Sequence, residues 1–300
     1  MIEVDGLTKH YRTRVAVDDV GFTVHPGRVT GFLGPNGSGK TTTLRCVLGL
    51  TRPTSGTTTV LGVPYRDLDV PMRRVGALVD PQARHPGRTA HAHLTALAQS
   101  NRLPASRVDD VVDLVGLGAV AHERVRGFSL GMAQRLGIAA ALLGDPEVLL
   151  LDEPVNGLDP EGIRWVRELL RDLAAEGRTV LVSSHLMSEM EDTADHLVVL
   201  GRGRLLADVP MADLLGRHAS VRVRSPQLPL LGAALRRAGA AVSPEADGAL
   251  RVEGLDPAAV GDVAFAAGVP VHELSPVVAS LEAAYLELTG DDVEYRAGMA

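Results

Sequence analysis

A glycine-rich loop at residues 34–41 constrains the fold of this chain more than any other feature. Its sequence, Gly-Pro-Asn-Gly-Ser-Gly-Lys-Thr, fits the pattern G-x-x-x-x-G-K-[ST] without a gap. A β-rich, apolar stretch precedes it at residues 28–33, and residues 41–50 place apolar side chains on one helical face. In this strand–loop–helix context, backbone N–H groups surround a phosphate. The sequence therefore predicts a nucleoside triphosphate site rather than an ordinary glycine-rich turn.

Two side chains at the end of this loop have the expected chemistry. Lys40 would reach the β- and γ-phosphates, and the Thr41 hydroxyl would hold Mg²⁺. The chain has 30 lysine and arginine residues, but only Lys9 and Lys40 are lysines. A compact ammonium group is therefore found where a point charge between phosphates is needed.

Composition limits the class of protein. With 300 residues, of which 45% are apolar, the chain can form about two domains with substantial cores. The net charge of −7 argues against a nucleic-acid partner. The N-terminus does not resemble a signal peptide and no apolar run approaches the length of a membrane span, so we expect a soluble, intracellular protein. The sole cysteine, Cys46, is expected to be a small buried core residue.

Strand and helix patterns alternate up to about residue 218 and predict an α/β domain with a parallel sheet. A change to purely helical patterns at about 86–145 indicates a helical insertion between two strands. Strands are predicted at 2–4, 20–25, 28–33, 57–60, 75–79, 148–152, 179–183 and 196–200, and helices at 91–101, 107–115, 131–143, 160–175 and 186–194.

The composition shifts near residue 219, and residues 219–300 are predicted to form a second, α+β domain. Strands at 221–224, 240–243, 250–253 and 269–274, with helices at 230–238 and from 256, give the order βαββαβ of a ferredoxin-like fold. A last helix is predicted from Ser275 to Gly290. It would place Val277, Leu281, Tyr285 (or Ala284) and Leu288 on one face, and such a stripe is more often core than interface.

Two acidic residues end the predicted strand 148–152. Asp152 would lie at the carboxyl end of the sheet, where α/β proteins bind their ligands, and could hold Mg²⁺ directly or through water. Glu153 is placed to polarise the water that attacks a γ-phosphate. Acidic residues commonly end strands, but Lys40 and Thr41 in the same chain favour the functional interpretation.

A third motif ends about a dozen residues before that strand. Ser129 is a candidate N-cap, and Gly131 would allow the backbone to approach an anion closely. The helix predicted at 131–143 would direct its N-terminus at that anion. Taken alone, the same residues would be nothing more than a capped helix.

Residues 1 to about 218 resemble the ATP-binding subunits of ABC transporters, because these motifs occur in the same order as in that family. Residues 156–159, Asn-Gly-Leu-Asp, resemble the D-loop of that family, and residues 183–185, Ser-Ser-His, resemble its switch histidine. Tyr11 matches the aromatic residue that stacks on adenine. Residues 129–132, Ser-Leu-Gly-Met, stand where the family usually has Ser-Gly-Gly-Gln, and so differ at two positions.

The resemblance implies an ATP hydrolase in which two chains enclose two ATP molecules. Each ATP would lie between the phosphate loop of one chain and the 129–132 motif of the other. Glu153 would be the general base, and His185 would contact the γ-phosphate and link it to the opposing D-loop. Thr41 and Asp152 would hold Mg²⁺. The implied nucleotide contacts are Tyr11, Gly34, Pro35, Asn36, Gly37, Ser38, Gly39, Lys40, Thr41, Thr42, Ser129, Leu130, Gly131, Met132 and Asp159.

The glutamine of the family's Q-loop has two candidate equivalents. It normally follows the strand corresponding to residues 75–79 by about one residue, which selects Asp80 by position. Gln82 lies two residues further and better suits metal contact through a neutral oxygen. The sequence slightly favours Asp80 and leaves both open.

The 129–132 motif and the C-terminal extension most resemble the bacterial branch that exports antibiotics and other drugs. The implied partners are separate transmembrane permease subunits and a second ATPase subunit, at the cytoplasmic face of the membrane, with no nucleic acid and no covalent membrane anchor. The alternatives are an importer ATPase and a soluble ABC-type ATPase that acts on DNA or ribosomes. The acidic balance and the single cassette disfavour the latter, and a P-loop kinase or GTPase would not explain the 129–132 motif.

Overall fold

The computed structural model describes residues 1–80, 83–217 and 220–277, together with Leu281, Glu282 and Tyr285. Contacts between residues divide this chain into two units, with the boundary between Val209 and Pro210. The predicted domain boundary at 218/219 stays a prediction. Within the described residues, no helix has the length and apolar character needed to cross a membrane.

The first unit contains two sheets and the helices that cover them. Its strands are β1 Ile2–Tyr11, β2 Arg14–Val24, β3 Arg28–Leu33, β4 Ser55–Val60, β5 Val75–Leu78, β6 Val148–Asp152, β7 Thr179–Ser184, β8 His196–Gly201 and β9 Arg204–Pro210. Its helices are α1 Lys40–Val47, α2 Pro71–Arg74, α3 Ala90–Ser100, α4 Ser106–Leu114, α5 Leu130–Leu142, α6 Pro160–Ala175 and α7 Met187–Glu191.

Among the described residues, six strands form the larger sheet in the order β5-β6-β7-β3-β8-β9. The pairs β5–β6, β6–β7, β7–β3 and β3–β8 are parallel. Strands β6, β7 and β8 are buried at every position, as expected for parallel strands covered on both faces. Their apolar side chains share a core with α1 and with the smaller antiparallel sheet β2-β1-β4. The predicted α/β architecture is confirmed, and Cys46 is a buried member of this core.

This topology places the carboxyl ends of three strands side by side. In the parallel register, Leu33 of β3 pairs with Ser184 of β7, and Asp152 of β6 pairs with Ser183 of β7. The loops that follow β3, β6 and β7 therefore leave the sheet at one edge. Ligands of open α/β sheets bind at such an edge.

The second unit begins with α8, Met211–Arg217, and continues with an antiparallel sheet. Between residues 220 and 277 its elements are β10 Ser220–Arg224, α9 Leu228–Arg237, β11 Ala241–Pro244, β12 Leu250–Glu253, α10 Pro257–Ala266 and β13 Glu273–Val277. The strand order is β11-β12-β10-β13, so the first and third strands of the βαββαβ motif lie at the centre. This is the predicted ferredoxin-like arrangement, and its core includes Val221, Val223, Val252 and Leu235.

Two predictions for the end of this unit are wrong. The fourth strand was expected at 269–274 but begins at Glu273, because Val269 packs into the core of the unit from a non-strand segment. The last helix cannot start at Ser275, since Ser275 and Pro276 pair with residues of β10. Proline is tolerated there because β13 is an edge strand and needs no donor on its outer side. Of the predicted stripe, Leu281 and Tyr285 are helical and buried, whereas Leu288 lies outside the described residues.

A side-chain cap at the start of α10 provides a test of this unit. Asp256 accepts a hydrogen bond from the backbone N–H of Ala259 at 2.7 Å. We expect Asp256→Ala to destabilise α10 by about 1 kcal/mol, because an orphan helix donor loses its partner. Hydrogen exchange of the α10 amides measures this loss. Asp262→Ala, an exposed change within the same helix, is the control. Equal protection in the two variants would contradict the capping role.

Candidate functional site

The glycine-rich loop connects the central strand β3 to α1, as predicted. Lys40 is the first residue of α1, and Gly39 precedes it with a φ of 106°, a conformation that strongly favours glycine. A Cβ atom on Gly39 would lie 2.6 Å from the carbonyl oxygen of Ala16. The loop therefore requires glycine both for its backbone angle and for the close approach of β2.

A cavity of about 330 Å³ opens over this loop. Its lining contains Tyr11, Pro35, Asn36, Gly37, Ser38, Gly39, Lys40, Thr41, Thr42 and Glu153, all predicted site residues. Arg14 and Ala16, which the sequence did not single out, also line it. Gly34 does not line the cavity and lies below it, where a Cβ atom would be 2.6 Å from the carbonyl oxygen of Leu200. Tyr11 is 45% exposed at the cavity, and the Lys9 ammonium lies 5.0 Å from the centre of its ring.

The ammonium group of Lys40 is buried at the base of the cavity. It donates a hydrogen bond to the carbonyl oxygen of Gly34 at 2.5 Å and lies 3.9 Å from Oε1 of Glu153. Burial lowers the pKa of Lys40 below its usual range, and the nearby carboxylates of Glu153 and Asp152 oppose that shift. A charged donor with little solvent is well suited to bind phosphate oxygens.

Asp152 is fixed by two hydroxyl groups from different elements. Thr41 donates to its Oδ2 at 2.7 Å, and Ser183 donates to its Oδ1 at 2.5 Å. A hydroxyl and a carboxylate are the hard oxygen ligands that Mg²⁺ prefers, and the ion usually takes its remaining ligands from water and phosphate. No cluster of three or more His, Cys, Asp or Glu that could hold a metal occurs among the described residues. The donor set therefore fits a Mg²⁺ ion bound together with a nucleotide.

Glu153 follows Asp152 with an unusual backbone conformation. Its φ is 52°, in the left-handed region that costs a non-glycine residue roughly 1–3 kcal/mol. Its N–H donates to both the carbonyl oxygen and the hydroxyl of Ser183, at 3.2 and 3.1 Å. Its carbonyl oxygen accepts from Nε2 of Gln134 at 2.9 Å and from the N–H of Asn156 at 3.3 Å.

This backbone directs the Glu153 carboxylate towards the cavity and His185. Oε2 of Glu153 lies 2.8 Å from Nδ1 of His185, which is placed by the end of β7. The two predicted catalytic residues, which are 32 positions apart in the chain, are therefore in direct contact. A carboxylate next to an imidazole and a buried lysine can accept a proton from water and hold it near a phosphate.

The 129–132 motif is not brought to the phosphate loop of the same chain. Ser129 caps α5 by accepting a hydrogen bond from the N–H of Met132 at 3.2 Å. Leu130 is 55% exposed and lies over Gly157, and Gly131 lies next to the carbonyl oxygen of Gly157. The motif thus contacts Gly157 and Leu158 of its own chain, and none of its residues lines the cavity.

Two other predicted site residues also lie away from the cavity. Asp159 uses its carboxylate to cap α6, accepting from the N–H of Gly162 at 2.9 Å. Asp80 is exposed after β5 and lines a different cavity of about 260 Å³ beside α3 and α5. Gln82, its alternative, lies outside the described residues. The choice between them stays open.

Three residues with structural contacts in the site were missed. Ser183 pairs with Asp152 in the neighbouring parallel strand, so a register argument for parallel strands could have found it. Gln134 is a polar residue inside an apolar helical pattern, which is a weaker signal. Arg14, in the β-rich opening of the chain, gave no signal.

Comparison with known proteins decides the family. A family model described as an ABC transporter matches residues 17–156. An uncharacterised ABC transporter ATP-binding protein of Bacillus subtilis, YhcH, is 35% identical over 98% of this chain and 97% of that protein. The chain belongs to the ABC transporter ATP-binding proteins. The predicted family is confirmed, and with it the activity of an ABC-type ATPase that binds and hydrolyses ATP.

Other relatives and solved structures match about 70% of the chain. The bacitracin transport ATP-binding protein BcrA of Bacillus licheniformis is 41% identical over 73% of this chain and 72% of that protein. A solved ATP-binding subunit of an ABC transporter is 28% identical with a TM-score of 0.65, covering 71% of this chain and 91% of that one. The ATP-binding cassette MJ0796, solved as a dimer with ADP and Pi, has a TM-score of 0.65 at 23% identity over 70% of this chain and 99% of that one, which shows the fold alone. A family model described as a domain of unknown function matches residues 219–282.

The buried ammonium group of Lys40 predicts that its removal from this ABC ATPase weakens ATP binding. We expect Lys40→Ala to weaken ATP binding about 10- to 100-fold, because the phosphates lose a charge-assisted hydrogen bond. Equilibrium titration with ATP measures the change. Arg171→Ala removes one positive charge from the exposed face of α6 and should bind like the wild type. Wild-type affinity in Lys40→Ala would contradict the assignment of the loop.

Proposed function

We propose that this chain is the ATP-binding and ATP-hydrolysing subunit of a transporter that exports a peptide antibiotic or another hydrophobic compound through a separate membrane permease. One observation supports its catalytic part above all others. Glu153 contacts His185 at 2.8 Å and lies 3.9 Å from the buried Lys40 ammonium. A candidate base that contacts a histidine therefore lines the same cavity as a phosphate-binding cation.

In this proposal, the β- and γ-phosphates of ATP lie against the N–H groups of the loop and the N-terminus of α1. Lys40 binds the phosphate oxygens, and Thr41 and Asp152 would hold a Mg²⁺ ion, which would neutralise phosphate charge. Glu153 accepts the proton of the attacking water, and His185 orients its carboxylate. Ser183 keeps Asp152 and Glu153 in place through one hydroxyl group, which donates to the first and accepts from the second.

A second copy of the chain completes each site. The 129–132 motif is exposed or half-buried and lies outside the cavity of its own chain, whereas its helix α5 starts at a capped N-terminus suited to an anion. Across a dimer, Ser129 and Gly131 would face the γ-phosphate held by the partner. Tyr11 offers an exposed ring at the cavity as the stacking surface for adenine. Asp159 would act at the same interface through the D-loop.

The permease is proposed to dock beside the helical insertion. There, a cavity of about 260 Å³ is lined by apolar side chains of β5, α3 and α5 and by Asp80, Arg84 and His93. Leu50 lies at its edge and is 65% exposed. Either Asp80, which lines this cavity, or Gln82 would link the docking surface to the nucleotide. Such docking places the chain at the cytoplasmic face of the membrane.

The proposed substrate class rests on relatives, whereas the proposed direction of transport rests on the resemblance of residues 129–132 and of the C-terminal extension to the exporter branch. The B. licheniformis relative is a bacitracin transport protein, and a relative from Streptococcus pyogenes, 34% identical over 69% of this chain, is a lantibiotic transport protein. These two names support an antibiotic of the bacitracin or lantibiotic kind as the transported substrate. For the unit from Pro210 onwards, we propose a regulatory or dimer-stabilising role, because the phosphate loop, Glu153 and His185 all precede it.

The general base can be separated from ATP binding by one substitution. Glu153→Gln keeps the side-chain shape and removes the proton acceptor, so we expect ATP to bind as in the wild type while turnover falls by roughly two to four orders of magnitude. Equilibrium titration and a phosphate-release assay measure the two quantities. Glu161→Gln, the same change at an exposed position in the first turn of α6, is the control.

A wild-type hydrolysis rate in Glu153→Gln would contradict the assignment of the base.

In cells that contain the chain and its permease, growth in bacitracin tests the export proposal with the same two variants. The wild type and Glu161→Gln should protect the cells, and Glu153→Gln should not. Equal growth of all three strains would reject this substrate class without affecting the result on hydrolysis.

A further inference from the structure

Gln134 is a buried polar residue in an otherwise apolar part of α5. Its side chain is 1% exposed, and the other buried residues of the helix are alanine, leucine and isoleucine. Its Nε2 atom donates to the carbonyl oxygen of Glu153 at 2.9 Å. Its Oε1 atom finds no hydrogen-bond partner among the residues that the structure describes.

Packing alone does not account for this side chain. A buried acceptor without a partner is unfavourable, and an apolar side chain of the same length would avoid it. The Glu153 carbonyl would still have a donor without Gln134, because it also accepts from the N–H of Asn156. Folding would therefore tolerate an apolar residue at this position.

The side-chain hydrogen bond of Gln134 is made to the backbone of Glu153, whose left-handed conformation is strained. Glu153 has a φ of 52°, and its N–H is held on the other side by Ser183. Because Gln134 donates to the carbonyl oxygen of Glu153, the peptide groups on both sides of Glu153 are held by hydrogen bonds. Because φ determines the direction of Cβ, this arrangement also fixes where the carboxylate points, 2.8 Å from His185.

We infer that Gln134 is a positioning residue that holds the Glu153 carboxylate in its catalytic orientation. The inference rests on the proposed role of Glu153 as general base. Gln134 lies in the second turn of α5, whose first turn carries Ser129 and Gly131. The helix that presents the 129–132 motif to the ATP of the partner chain therefore also holds the base of its own chain. A shift of α5 on closure of the dimer would reach Glu153 through this single hydrogen bond.

Gln134→Met tests the role because methionine has the length and flexibility of glutamine and removes only the donor and acceptor. In the full chain, we expect kcat for ATP to fall about 10- to 100-fold, the effect of a small displacement of a catalytic group. KM, the affinity for ATP and the thermal unfolding midpoint should stay near wild type. Gln134→Leu is a second apolar variant. The control is Ile138→Val, which alters a buried residue of the same helix one turn further on and should lower the unfolding midpoint while leaving kcat within about twofold.

The Glu153→Gln background separates positioning from a general effect on the helix. Once the base is absent, its orientation no longer matters, so adding Gln134→Met should change the residual rate less than about twofold. Three outcomes would overturn the inference. They are an equal fold-change in the hydrolysis rate in both backgrounds, a wild-type kcat in Gln134→Met, and failure of both apolar variants to fold. If Glu153→Gln itself hydrolyses ATP like the wild type, the proposed base is wrong, and this outcome is distinct from the other three.

Discussion

The site depends on the parallel pairing of β3, β6 and β7, since this pairing brings three separate loops to one edge of the sheet. Leu33 and Asp152 end their strands and pair with Ser184 and Ser183, the last two residues of β7. Asp152 therefore meets the Thr41 hydroxyl across 111 positions of sequence, at 2.7 Å. Because these apolar strands are packed on both faces, a change of register would disturb close-packed contacts on both sides of the sheet. The same hydrophobic packing that stabilises the sheet thus sets the geometry for phosphate and metal binding.

Much of the fold followed from local patterns. The glycine loop predicted both β3 and α1, because its function requires a strand before it and a helix after it, and β6 was predicted with its bounds unchanged. The βαββαβ order predicted the topology of the second unit even though its last strand was misplaced. That error arose because Val269 and Val271 look like a strand in sequence, while the structure uses them as core residues of a connecting segment. Local apolar pattern cannot distinguish these two uses of a valine.

The sequence predicted those site residues that belong to motifs of fixed spacing. It did not predict features of the site that depend on tertiary contacts. Lys40, Thr41 and Asp152 belong to motifs with fixed spacing. By contrast, the left-handed backbone of Glu153 and its hydrogen bond from Gln134 depend on how α5 packs near β6, which no short pattern encodes. The position of residues 129–132 outside the cavity agrees with a site shared by two chains. A single chain thus contains every part of the proposed mechanism but does not assemble the parts into one site.

The central claim, that ATP joins two copies through Ser129, can be tested by sedimentation of Glu153→Gln chains with saturating ATP. Ser129→Asp keeps a side chain that can cap α5, but it places a negative charge where the partner's γ-phosphate would lie, whereas Ser129→Asn caps equally well and is neutral. We predict dimers for Glu153→Gln alone and with Ser129→Asn. With Ser129→Asp, we predict monomers that still bind ATP, because each chain has its own phosphate loop. Equal dimerisation of the Asp and Asn variants would contradict the account.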